Sequence, residues 1–252
     1  DSVLIRNNVF RHIVDAPGIW LDYLNKNSRV TGNVLADIQS IHGGVYLEVS
    51  HAPNVIDHNI FWDIRGTERP NSGTGVNVDT GEKCVVAHNL FANIPDGWAV
   101  TVNLHQKARV VGGRVGLCRQ HQVLNNVFVA CPKRILFARA VDNRADGNLF
   151  DARDDATSLC VERPEPQALI NLEAWREFYG YDVHGGRARI DAHLDPDALR
   201  LVVRLEEDVP ARPGLAALGE EGQVSFPGPV ALAAGEIEYQ VGPRIAAPAA
   251  HQ

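Results

Sequence analysis

Three carboxylates close matching stretches of the chain. Asp22 ends Gly18-Ile19-Trp20-Leu21-Asp22, Glu48 ends Gly44-Val45-Tyr46-Leu47-Glu48, and Asp79 ends Gly75-Val76-Asn77-Val78-Asp79. The first two match position for position: glycine, branched aliphatic, aromatic, leucine, carboxylate. In a strand, alternate side chains face opposite ways. Ile19, Leu21, Val45 and Leu47 then turn to a core, and Trp20, Asp22, Tyr46 and Glu48 turn outward. Neighbouring strands lie about 4.7–4.9 Å apart, which sets the spacing of acids on adjacent strands. Retaining glycoside cleavage uses two carboxyls about 5–5.5 Å apart, and inversion needs about 6.5–9.5 Å. Two like charges this close cannot both stay cheaply ionised near neutral pH, so one pKa rises and an acid stands beside a base. Trp20 and Tyr46 add flat apolar faces for a sugar ring. The plainer readings are a solvated face or a calcium site built from several carboxylate oxygens. Stacked like charges are unfavourable without compensation, so three in a row call for an explanation.

A repeat supplies the element that would position these acids. Asparagine, an aliphatic residue, then Phe or Leu recurs as Asn8-Val9-Phe10, Asn33-Val34-Leu35, Asn59-Ile60-Phe61, Asn89-Leu90-Phe91, Asn126-Val127-Phe128 and Asn148-Leu149-Phe150. The offsets are 25, 26, 30, 37 and 22 residues. Such a period with insertions fits the turns of an all-β, right-handed parallel β-helix, whose short strands stack on copies of themselves. The leucines are too sparse for a leucine-rich repeat, and no 3.6-residue periodicity supports a helical one. An asparagine at one turn of every coil suits a ladder of side-chain amides that satisfies buried backbone groups.

The ladder fixes a register. Asp22 lies 11 residues before Asn33, Glu48 lies 11 before Asn59, and Asp79 lies 10 before Asn89. Taking Gly97-Trp98-Ala99-Val100-Thr101 as the next segment gives an outer column Asp22, Glu48, Asp79, Thr101. The inner columns are then Ile19, Val45, Val76 and Leu21, Leu47, Val78, Val100. Two enlarged loops flank the acid strands and either wall a cleft or are simply tolerated insertions. One runs from Trp62 to Gly73. The other follows Thr101 through Asn103, His105, Lys107 and Arg109 to Gln120. His42 and His51 stand at the two ends of the Glu48 strand, within reach of substrate or a carboxylate, or simply at the surface. His58 and His88 precede ladder asparagines and read as structural. Arg139 binds a hydroxyl or carboxylate, or forms a surface salt bridge.

The coils are expected over 1–160, with the first residues, Asp1 to Phe10, reading as the second half of a coil whose earlier part lies upstream. A linker with a short helix follows over 161–190, the helix being Asn171 to Tyr179 ended by Gly180. A β-rich segment over 191–252 then caps the C-terminal end, with strands near Leu199–Val203, Gln223–Phe226 and Glu236–Tyr239 and a loose terminus from Ala246.

Composition bounds the function classes. A net charge of −7 and a pI near 5.8 argue against nucleic acid or an anionic membrane as partner. No apolar run is long enough to span a bilayer. Cys84, Cys118, Cys131 and Cys160 lack CxxC spacing and read as buried thiols, with disulfides the alternative in an exported protein. Neither HExxH, CxxC nor a nucleotide loop is present, so no cofactor is expected, calcium being the one alternative. No signal-peptide pattern appears in this chain.

The pattern Gly-Ile-Trp-Leu-Asp, followed a coil later by Gly-Gly-Val-Tyr-Leu-Glu-Val-Ser and Asn59-Ile60-Phe61, resembles carbohydrate-active right-handed parallel β-helix proteins. It is most similar to glycoside hydrolase family 120, the β-xylosidases. The run Leu172-Glu173-Ala174-Trp175 with Gly180, Asp182 and His184 resembles the segment after the coils in many such proteins. The resemblance covers roughly residues 1–190, with its catalytic part in about 40 of them. It implies a retaining enzyme with Asp22 as nucleophile and Glu48 as acid/base. Trp20, Tyr46, Asp79, Asn77, His42, His51 and Arg139 are the candidate substrate contacts. The expectation is an exo-acting glycosidase on a plant-wall xyloside, secreted or periplasmic. The alternatives are a calcium-dependent polysaccharide lyase, with Arg or Lys as base, and a non-catalytic glycan-binding β-helix.

Overall fold

The computed structural model describes residues 1–103, 109–111, 113–140, 142–154, 157–162, 168–208 and 232–242. They form a parallel β-solenoid of about six turns with one short helix and a small antiparallel sheet. Three parallel sheets run along the solenoid. The first stacks Leu4–Arg6, Ser28–Thr31, Asn54–Asp57, Cys84–Ala87, Gln122–Leu124 and Arg144–Asp146. The second stacks Val9–Val14, Val34–Gln39, Ile60–Arg65, Leu90–Ala92, Val127–Val129, Leu149–Asp151 and Gly186–Ala188. The third carries the acids and stacks Ile19–Leu21, Val45–Glu48, Val76–Asp79, Val100–Asn103, Ile135–Phe137 and Leu159–Val161.

The asparagine ladder occupies the turn from the first sheet to the second. Each side-chain carbonyl accepts from the backbone N–H and the side-chain N–H of the asparagine one coil earlier, at 2.9–3.1 Å, from Asn8 through Asn33, Asn59, Asn89 and Asn126 to Asn148. The residue before each asparagine has positive φ: Asn7, Gly32, His58, His88, Asn125 and Gly147. His58 and His88 stack there with ring centroids 4.9 Å apart, which accounts for both as structural groups. The ladder ends on Asp182, fully buried, whose Oδ1 accepts from the backbone and side chain of Asn148 at 2.9 Å.

Inside the coils, Phe61, Phe91, Phe128 and Phe150 stack at 4.7, 5.2 and 5.3 Å. This column also fixes Gly44 and Gly75, and Leu35 with Ile38 does the same for Gly18. A Cβ on Gly44 would stand 2.7 Å from the Phe61 ring and 2.8 Å from the Gly75 carbonyl oxygen. The Gly18, Gly44, Gly75 column is therefore a space requirement.

The far end of the core is closed by the helix Leu172–Tyr179, with Asn171 as N-cap and Gly180 (φ 65°) as C-cap. Leu172 and Trp175 are buried in the core, and Trp175 stacks on Phe137 at 5.9 Å. The tail sheet, Ile190–Asp195, Arg200–Leu205 and Gly235–Gln240, does not cap this end as expected. Its Ile190, Leu194, Leu201, Val203 and Leu205 pack on Val34, Ile60, Leu90, Val127 and Leu149, the outward residues of the second sheet. That sheet is apolar on both faces and needs a cover along its flank. The expected strand at Gln223–Phe226 and the terminus from Ala246 lie outside the described residues.

All four cysteines are buried and unpaired with one another. Burial pushes Cys84, Cys118 and Cys131 up to about 12, so the reactive thiolate is scarce. An Ellman titration should find almost no reacting thiol in the folded protein and all four after denaturation. No helix among the described residues is long and apolar enough to cross a membrane.

Candidate active site

The third sheet sets the acids in register. Trp20 stacks on Tyr46, Tyr46 on Asn77 and Asn77 on Thr101, while Glu48 stacks on Asp79 and Asp79 on Asn103. Thr101 thus belongs two residues earlier than the acid column in which the sequence placed it, and Val100 pairs with Val76, not Val78. The landmark Gly97 misleads because Ala99 takes the glycine place: Gly75 N–H bonds the Trp98 carbonyl and Val76 N–H the Ala99 carbonyl. A two-residue slip leaves every side chain on its expected face, so alternation alone cannot detect it.

Glu48 and Asp79 are the last outward residues of their strands because the chain turns immediately after them. Val49 and Thr80 sit at φ 42° and 55°. This region is costly for β-branched residues. Val49 N–H bonds the Asp79 carbonyl at 2.9 Å and Thr80 N–H the Asn103 carbonyl at 2.8 Å, which hold both turns.

Glu48 and Asp79 stand in a cleft of about 850 Å³, lined also by Trp20, His42, Tyr46, Asn77 and Asn103 among others, while Asp22 lies outside its lining. The two enlarged loops wall it, through Arg69 to Ser72 on one side and Asn103 and Arg109 on the other. His42 lies flat on Tyr46 with centroids 4.2 Å apart, and the Trp20 ring stands 5.7 Å from Tyr46. Trp20 is 53% exposed, whereas Glu48 and Asp79 are buried to 8% and 9%.

The three acids are treated differently. Asp79 is fully engaged: Oδ2 accepts from Arg109 Nη1 at 2.8 Å and from the Tyr46 hydroxyl at 3.2 Å, and Oδ1 accepts from the Thr80 hydroxyl at 2.7 Å. Glu48 accepts from the Trp20 indole at 3.2 Å and from the second Arg109 nitrogen. Its pKa is raised, by burial first, with the Asp22 and Asp79 charges and a side-chain hydrogen bond to Asp22 adding to the shift and the indole opposing it. The Arg109 contact also favours the ionised form, so the protonation of Glu48 depends on where Arg109 sits. Asp22 is exposed at the rim, one strand from Glu48, with Oδ1 accepting the Tyr23 N–H at 2.8 Å. The same environment moves two neighbours: burial, with Asp79 and Glu48 behind it, raises the Tyr46 phenol, and burial with Arg69 lowers His42.

The structure thus brings together Trp20, Tyr46, Asn77, Asp79, His42 and Glu48, with Asp22 at the edge. Asp22, which neighbours Glu48, and His51 and Arg139, which do not, line no part of the cleft. His51 faces Glu82 at 3.8 Å, and Arg139 follows the strand Ile135–Phe137, two coils beyond Asp79. His105 and Lys107 lie outside the described residues. Arg109 is the main addition. The sequence marks its loop by the long offset between Asn89 and Asn126, but not which residue of the loop reaches inward.

Among the described residues, no group of three or more His, Cys, Asp or Glu is placed to hold a metal ion. Between Glu48 and Asp79, Arg109 supplies the positive charge that a cation would otherwise bring. Fold and site together define a parallel β-solenoid with an acid-floored cleft on one sheet. Comparison of the chain with protein-family models, curated proteins and solved structures finds no match.

Proposed function

We propose that the cleft hydrolyses glycosides with retention, on a β-xyloside or similar plant-wall sugar, with Asp22 as nucleophile and Glu48 as acid/base. The observation that carries this reading is the unequal treatment of the stacked acids. Glu48 is raised by burial and by neighbouring carboxylates, the direction a general acid needs, and Arg109 opposes it. Asp79 gives both oxygens to Arg109, Tyr46 and Thr80, which leaves it poorly disposed to attack. Asp22 is exposed, accepts the Tyr23 N–H and shares a side-chain hydrogen bond with Glu48, which sets it beside the acid with no cation paired to it among the described residues.

In the first step an Asp22 oxygen bonds the anomeric carbon as the glycosidic bond breaks, and Glu48 gives its proton to the leaving oxygen. In the second, Glu48 takes a proton from water, whose oxygen displaces Asp22 from the anomeric carbon. The lyase alternative needs the stacked acids for calcium, and their engagement with Arg109 weighs against it.

The test is to follow an aryl β-xyloside by proton NMR. The β-anomer of the free sugar should appear first and mutarotate later. First appearance of the α-anomer, or ultraviolet absorbance of an unsaturated product, would overturn the reading. Trp20→Ala should raise KM about tenfold by removing one apolar platform. It should hardly move Tm, because Trp20 is 53% exposed.

A further inference from the structure

The insertion that carries Arg109 leaves the solenoid at Asn103 and returns at Cys118, which is buried in the core. Between them, Val110–Val111 and Arg114–Val115 pair as a small antiparallel ribbon. Three contacts pin this segment to the coil of Asp79. Arg114 Nη2 bonds Glu82 Oε2 at 2.9 Å, and Arg119 Nε bonds the same oxygen at 3.4 Å. Gly116 lies so close to Thr80 that a Cβ there would stand 2.2 Å from the Thr80 carbonyl oxygen.

Glu82 is fully buried, three residues past Asp79, and lines no part of the cleft. A buried carboxylate is costly unless it is paired. Burial would push Glu82 up, but Arg114 and Arg119 outweigh it and hold the group ionised. The other titratable groups beside it are His51, at 3.8 Å, and the buried His121, pushed down to about 4.

We propose that Glu82 is a positioning residue: through Arg114 and Arg119 it fixes the insertion that delivers the Arg109 guanidinium to Glu48 and Asp79. The consequence for catalysis rests on the glycosidase reading, but the linkage does not. Arg109 also stands over the Tyr23 ring, 4.7 Å from its centroid, so the delivered cation ties the cleft to its rim. Without the anchor, the guanidinium keeps its charge and loses its address.

The experiment is a carboxyl ¹³C NMR titration of Glu48 in the whole chain. The groups facing Glu48 are Asp22, Asp79, Arg109, Trp20 and Tyr46. Arg109→Gln should raise the midpoint by about 1–3 pH units, because an opposite charge in contact favours the ionised form. Glu82→Gln should raise it in the same direction, and adding Glu82→Gln to Arg109→Gln should change nothing further. Arg114→Gln combined with Arg119→Gln should reproduce the Glu82→Gln shift, and Arg114→Gln alone, which leaves Arg119 paired with Glu82, should give part of it and covers the case in which those variants fail to fold. Gly116→Ala should do the same by pushing the insertion off Thr80.

The inference fails if Glu82→Gln and the double arginine variant leave Glu48 at its wild-type midpoint while Arg109→Gln moves it. It also fails if their shift persists in full without Arg109. A purely structural role for Glu82 would lower Tm and leave the Glu48 midpoint in place. Absence of hydrolysis in the wild type would count against the glycosidase reading alone, since the titration needs no turnover.

Discussion

Glu48→Gln is expected to lower turnover of glycosides with poor leaving groups by about 10²–10⁴-fold, the range of a positioned general acid. Gln cannot give a proton to the leaving oxygen, so the loss should shrink with a good leaving group such as dinitrophenolate. The second step also loses its base, so the glycosyl-enzyme should accumulate and the phenolate should appear as a burst. Asp22→Asn should behave differently: no burst with any leaving group, and turnover lost throughout. The contrast separates the two roles, which uniform loss from misfolding would not. Stopped-flow measurement of phenolate release with both leaving groups is the check.

Asp182→Ala should carry a large stability loss although it lies outside the cleft. Its carboxylate accepts from the Asn148 backbone and side-chain N–H groups and, at 3.1 Å, from the Trp175 indole. All three donors are buried, and stranding them should cost about 3–5 kcal/mol. For a chain of this size that lowers Tm by about 10 °C. Coils contact only their neighbours, so hydrogen exchange should show the last coil and the helix opening before the rest.

Asp182 also sets a pH dependence opposite to the usual carboxylate. Burial pushes it from 3.8 up to about 7, so between those values the folded state holds a proton that the unfolded state has released. The stability this group contributes is complete below the unfolded value and is lost as pH rises through the folded one. Relative to Asp182→Asn, which carries no titrating group there, wild-type Tm should therefore fall as pH rises from 3.8 to about 7. A relative Tm that rises over this range would contradict the assignment.

Much of the solenoid was legible because its column positions admit few residue types. The turn needs an amide that both donates and accepts, so asparagine recurs where any polar residue would serve at the surface. The Phe column and the glycine column are two sides of one packing constraint, visible as Gly44 against Phe61. The acid column was readable for the same reason, up to the coil where Ala99 replaces glycine. The cover over the second sheet also has a trace in the repeat. The aliphatic residue after each asparagine, from Val34 to Leu149, faces away from the Phe column and still repeats. A solvent-facing column would not stay apolar over so many coils.

The cleft was only half legible. Strand residues Trp20, Tyr46, Asn77, Glu48 and Asp79 follow from period and register. Arg109 and the run from Arg69 to Ser72 arrive from loops, where contact is set by the path of the insertion and no period exists to read. Glu82 looks like one more surface acid in the sequence. Only its burial beneath two arginines of the insertion gives it a role.

On the proposed mechanism Asp22 carries the sugar between the two steps. Reaction with a 2-deoxy-2-fluoro-β-xylosyl fluoride slows the second step and should leave one fluoroxylosyl group on the protein. Peptide mapping by mass spectrometry should place it on Asp22, with the label absent from Asp22→Asn. A label on Glu48 or Asp79, or an active preparation that takes up none, would contradict the account.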